Sequence, residues 1–154
     1  MYKLKINLFD CTIRIPPETV AALGMPEEVT FLYNRDKAVL AVAAGAVRFE
    51  GTGRGLPSEG MGITLKDKWE EEKGCYKIDT ALYTMEAFSK ALPYNDVRSA
   101  FVLSGDFIEK AMIAFELNSA VEEENRPYLE ALATQKDKRR TAYPTPWDVL
   151  QTAR

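Results

Sequence analysis

The chain has 154 residues, 46% apolar and 28% charged, with a net charge of −3, two cysteines and no histidine. That length suits a single domain, and a chain of this size buries roughly 70% of its unfolded surface without needing a staple. The lack of histidine excludes Ser-His-Asp and Cys-His catalysis and any imidazole general base. Cys11 and Cys75 alone make neither a four-ligand zinc site within the chain nor more than one disulfide. The opening residues 1–7 have no apolar stretch of the signal-peptide kind, and no run approaches the roughly 20 residues that span a bilayer. The expectation is a cytoplasmic protein with reduced thiols, no cofactor and no bound metal.

In chain order, residues 2–9 read as a strand, because Tyr2, Leu4, Ile6 and Leu8 alternate with Lys3, Lys5 and Asn7. Residues 12–15 are a second short β stretch, stopped by Pro16-Pro17, where proline suits the first turn of a helix. Residues 18–23 then form a short helix with Val20 and Leu23 on one face, and Gly24 stands at its left-handed C-cap. Residues 29–33 and 38–42 are β-rich and flank Asn34-Arg35-Asp36-Lys37, which is hairpin chemistry. Residues 46–49 add a further strand. The glycine-rich residues 51–62 read as a linker. The charged residues 65–74, marked by Trp69, follow it.

Residues 75–78 are again β-like. Residues 84–92 read as a helix with Met85, Phe88 and Leu92 on one face, ended by Pro93. Residues 97–103 and 111–117 form a hairpin across Ser104-Gly105-Asp106. The capping-box spacing from Ser119 to Glu122 predicts a helix start, with Pro127 breaking or restarting it. Residues 141–154 read as a loosely ordered end. The two halves share an order of strand, helix and hairpin: residues 2–4 are similar to 76–78, Ala22-Leu23 to Ala91-Leu92, and residues 37–41 to 110–114.

Charge is uneven. Residues 1–50 hold six basic and six acidic side chains; residues 51–124 hold eight and fourteen, a net of −6; residues 125–154 hold six and three, a net of +3. The basic surplus sits at Lys136, Lys138, Arg139 and Arg140, a pattern that binds polyanions or solvates a helix end. Residues 55–60 match the start of a phosphate-binding loop, but Met61-Gly62 replaces its lysine and hydroxyl. The clusters Glu70-Glu71-Glu72 and Glu122-Glu123-Glu124 read as solvated surface. Cys11, beside Asp10, reads as a part-buried structural thiol. Trp147, in an extended context with Leu150 close behind, has the form of an aromatic anchor, either for a partner or docked back onto the chain's own domain.

The segment Thr12-Ile13-Arg14-Ile15-Pro16-Pro17-Glu18-Thr19-Val20-Ala21-Ala22-Leu23-Gly24-Met25 resembles the AbrB-like (SpoVT-AbrB) swapped-hairpin domains. In these a β stretch ends in Ile-Pro, a short helix ends in Leu-Gly, and a hairpin follows. With the weaker second copy, the chain is similar to tandem two-copy members such as MraZ proteins. The resemblance implies a mainly β fold with short helices. In it a fused pair of βαββ units forms a small β-barrel pseudo-dimer, with a helical then flexible C-terminal tail. The divisions are residues 1–50 for the first unit, 51–74 for the linker, 75–118 for the second unit and 119–154 for the tail.

The resemblance also implies a DNA-binding transcription regulator or antitoxin, acting as a homo-oligomer or as its own pseudo-dimer. Lys3, Lys5, Thr12 and Arg14 would contact DNA, and Lys138, Arg139 and Arg140 would add electrostatic reach. The family's usual Gly-Arg aligns with Cys11-Thr12, and its helical arginines align near Val20-Ala21. The alternative is a protein-interaction module that grips a partner protein through the acidic middle and the tail, with Trp147 and Leu150 as contacts. No convergent catalytic pair is visible, so a non-enzymatic role is expected.

Overall fold

The computed structural model describes residues 1–46, 54–56, 62–93 and 99–137. Its elements are β1 (Tyr2–Asn7), β2 (Thr12–Ile15), α1 (Pro17–Ala22), β3 (Glu28–Asn34), β4 (Val39–Ala44), β5 (Arg54–Leu56), β6 (Ile63–Thr64) and β7 (Trp69–Glu70). They continue as β8 (Cys75–Asp79), α2 (Leu82–Ser89), β9 (Ser99–Glu109), β10 (Met112–Glu116), β11 (Val121–Glu124) and α3 (Arg126–Asp137). The fold is mainly β with short helices, as the sequence predicts.

The strands form one curled antiparallel sheet, a half-barrel in the order β5-β3-β4-β10-β9-β1-β2-β8-β7, with β6 beside β3 and β11 beside β9. Its pairings follow a two-fold pattern. In the first half, hairpin β1–β2 pairs Ile6 with Ile13 and Asn7 with Thr12. In the second, β7–β8 pairs Trp69 with Tyr76 and Glu70 with Cys75. β1 crosses to β9 of the second half, and β6 crosses to β3 of the first. Two pairs then join corresponding strands directly, β2 with β8 and β4 with β10. The halves are therefore interleaved rather than placed side by side.

The core lies in the hollow of the sheet. Leu4, Ile6, Ile13, Ile15, Phe31, Val42, Phe101 and Phe115 turn inward from alternate strand positions. The helices fill this hollow with Val20 of α1 and Met85 and Phe88 of α2, joined by Leu23 just past α1 and by Leu92, which lies beyond α2 because that helix ends at Ser89 rather than running to residue 92. Phe88 meets Tyr33 edge-on, with ring centroids 5.0 Å apart. α1 follows Pro16, sits between proline and glycine signals, and ends at Gly24 in the left-handed region (φ +90°). The Thr19 hydroxyl donates to the Lys3 carbonyl and ties this helix to β1.

Several local expectations give way. Part of the stretch read as linker joins the sheet as β5, β6 and β7, each of two or three residues and too short to show a period. Tyr76–Ile78 belongs to β8, the counterpart of β2, so its likeness to residues 2–4 in β1 pairs non-equivalent strands. Ser104-Gly105-Asp106 is not a turn but the middle of β9, and the turn lies at Lys110 and Ala111. Gly105 is required by close approach: a Cβ there would run into the Ala114 carbonyl. The helix expected from residue 119 starts at Arg126, because residues 121–124 pair with β9 as β11. Asn125 then takes the capping role, its Oδ1 accepting from the Tyr128 backbone N–H at 3.3 Å, with Pro127 in the first turn. Lys138, Arg139, Arg140, Trp147 and Leu150, and all but the first residue of the strand read at 46–49, lie outside the described residues.

Candidate functional site

Because Leu4 and Ile6 face the core, Lys3, Lys5 and Asn7 emerge on the other face of β1. Strand register carries this face across the sheet: Lys5 is opposite Arg14, and Arg14 is opposite Lys77. Asn7 is opposite Thr12. The four DNA-contact residues expected in the first hairpin thus share one face, and Lys77 joins them from the second half.

Arg14 is the centre of this face. Its side chain is only 10% exposed and holds two carboxylates, Asp10 through Nη2 at 2.9 Å and Glu70 through Nε at 3.0 Å. Its Nη1 donates to Thr12 Oγ1 at 2.7 Å, and the Thr12 hydroxyl donates in turn to Asp10 Oδ1 at 2.6 Å. Burial favours the neutral guanidine, but hydrogen bonds and charges from Glu70 and Asp10 outweigh it and raise the Arg14 pKa further. Burial also pushes the Glu70 carboxyl up. The bond and charge of Arg14, with Lys77 and the Cys75 thiol adding to them, hold it below the ordinary range. Cys75 itself is pushed up, first by burial and then by the Glu70 charge. Such a thiol is structural rather than reactive.

The remaining basic residues are less committed. Lys5 reaches Glu123 of β11 at 3.5 Å, and Lys3 donates to Ser104 Oγ at 2.6 Å while its charge stays exposed. The segment β11–α3 lies against this face. Asn7 and Asn125 exchange reciprocal amide hydrogen bonds of 2.9 and 3.0 Å, Phe9 meets Tyr128 edge-on, and Lys73 reaches Glu130 at 3.5 Å. Between these elements is a cavity of about 680 Å³, with Arg14, Lys5, Asn7 and Cys75 among its lining residues.

Sequence reasoning finds Lys3, Lys5, Thr12 and Arg14 but misses Asp10, Glu70, Glu123 and Asn125 as their partners. Asp10, Thr12 and Arg14 stand at alternate positions, a signal the sequence carries. Glu70 and Glu123 read as solvated in the sequence; both instead sit on strands, where alternation turns each toward the basic face. Cys11 takes a left-handed backbone (φ 56°). Among the described residues no group of three or more acidic or cysteine side chains could hold a metal, and no helix is long and apolar enough to cross a membrane.

The chain matches no family model, no curated protein and no solved structure.

Proposed function

We propose that the chain is a two-copy, AbrB-like swapped-hairpin scaffold that works by binding another protein rather than by catalysis. Its interleaved pairing and the glycine-like backbone of Cys11 support the family reading. The observation that carries the protein reading is the state of Arg14. Affinity for a phosphate backbone comes from cations that release counterions on contact. Here the guanidinium is buried between Asp10 and Glu70, and Lys5 is held by Glu123. A face balanced in this way favours a partner read by shape and hydrogen bonding over a polyanion.

The DNA-binding regulator or antitoxin-like reading stands second. It is favoured by the exposed charge of Lys3 and by the basic surplus at Lys138, Arg139 and Arg140. One experiment separates the two: titration of the full chain into a labelled mixed-sequence duplex at low and at moderate salt. The protein reading expects no binding at low salt. Binding that falls steeply with salt and weakens in Lys3→Ala or in the triple change of Lys138, Arg139 and Arg140 to Gln would replace it with the DNA reading.

A further inference from the structure

The cavity beside Arg14 is built from both halves and from the segment that follows them. β1, β2 and the start of α1 supply one side, the β7–β8 turn another, and β11 with the first turn of α3 the third. At about 680 Å³ it falls in the size range of small-molecule and short-peptide sites. Asn7, Arg14 and Cys75, all buried, lie at its base.

A guanidinium carries five N–H donors. Each Arg14 nitrogen makes one bond, Nε to Glu70, Nη1 to Thr12 and Nη2 to Asp10, so Nη1 and Nη2 each carry a second N–H beyond those bonds. A ligand carboxylate supplies two acceptors for such a pair of N–H groups. Lys5, half-exposed on the same wall, adds a second donor.

The charges decide what the carboxylate must be attached to. Around the base, Arg14, Lys5 and Lys77 are balanced by Asp10, Glu70 and Glu123. At the mouth, Glu18, Glu72 and Glu124 outnumber Lys73 and Arg126, and Lys73 is already held by Glu130. A phosphorylated ligand would bring several negative charges past an acidic rim. A ligand with one carboxylate inward and a protonated amine outward satisfies both ends.

We propose that this cavity binds an α-carboxylate joined to basic amines, as in a free basic amino acid or the C-terminal residues of a short basic peptide. Arg14 and Lys5 take the carboxylate, and the Glu18, Glu72 and Glu124 rim takes the amines. The site shares Arg14 and Lys5 with the face on which the proposed function rests, but its probes are small ligands, so its failure is read separately from that of the DNA titration.

Calorimetric titration and thermal shift of the full chain test it, with L-lysine, trilysine, the C-terminal amides of both, and inorganic phosphate as probes. The expected result is binding and a raised Tm with L-lysine or trilysine, and at least a tenfold loss with the amide. Binding of L-lysine alone marks the amino acid as the ligand; binding of trilysine alone marks the peptide. Lys5→Ala should weaken the carboxylate ligand about tenfold, and Glu72→Gln should weaken it less. Because Arg14 variants risk misfolding, these two surface changes keep the test informative. No heat and no shift with either ligand, equal binding of acid and amide, or tighter binding of phosphate would each overturn the proposal.

Discussion

Arg14 donates from Nε to Glu70 Oε1 at 3.0 Å, joining residues 56 positions apart in sequence. Arg14 belongs to the first hairpin and Glu70 to the second, so this ion pair links the two interleaved halves on the face opposite the core. Glu70→Gln removes the charge and weakens that link. The expected cost is about 1–3 kcal/mol for losing a charged partner of a buried donor. For a chain of this length that is a fall in Tm of about 2–12 °C, read by thermal denaturation of the two proteins side by side.

The same pair contributes to the acid limb of stability. The folded-state pKa of Glu70 lies below its ordinary value of 4.5. A carboxylate depressed in this way contributes stability that is fully present above the unfolded pKa and is lost as pH falls through the folded pKa. Arg14 stays protonated throughout. Tm should therefore hold nearly level from neutral pH to about pH 5 and fall below that. Glu70→Gln should start lower and fall less steeply. An acid limb equally steep in the variant would remove Glu70 as its source.

What was legible in the sequence was what local pattern controls. Alternation in β1, the Ile-Pro stop at Ile15-Pro16 and the Leu-Gly end at Leu23-Gly24 placed the first unit almost to the residue. The second unit was harder for physical reasons. β6 and β7 have two residues each and are strands only because β3 and β8 pair with them. Gly105 carried a turn signal but serves close backbone approach, whereas the real turn at Lys110 and Ala111 carries no such residue. The basic face was legible as a set of residues. Its neutralisation was not, since Glu70 and Glu123 reach it only through tertiary pairing.

Gly105 gives a prediction about that hairpin. A Cβ at this position meets the Ala114 carbonyl and the Phe115 ring, and backbone cannot swing aside as a long side chain can. Gly105→Ala should cost about 1–3 kcal/mol through overpacking. The loss should be read as faster hydrogen exchange in β9 and β10. Unchanged exchange there would mean that the strands part without strain.

The two thiols should differ in reactivity. Cys75 is buried beside Glu70, and both burial and that negative charge disfavour its thiolate. Cys11 is only partly buried. At pH 8 the native protein should react with a disulfide reagent at Cys11 well before Cys75. Glu70→Gln removes the repelling charge, so Cys75 should react faster in that variant under the same conditions. Equal rates for Cys75 in both proteins would rule out the charge effect.

The reciprocal amide pair of Asn7 and Asn125 docks α3 onto the sheet. Both residues are buried, and each makes a further bond beyond the reciprocal pair: Asn7 accepts from the Phe9 N–H, and Asn125 caps the helix. Asn7→Ala or Asn125→Ala leaves the other amide buried with lost bonds, at about 1–3 kcal/mol each. Once one is gone the second has less to lose, so the double variant should cost less than the sum, with a coupling of about 0.5–3 kcal/mol. Hydrogen exchange at residues 126–137 should accelerate in each single variant. Additive costs with unchanged exchange in α3 would assign its docking to the Phe9–Tyr128 contact instead.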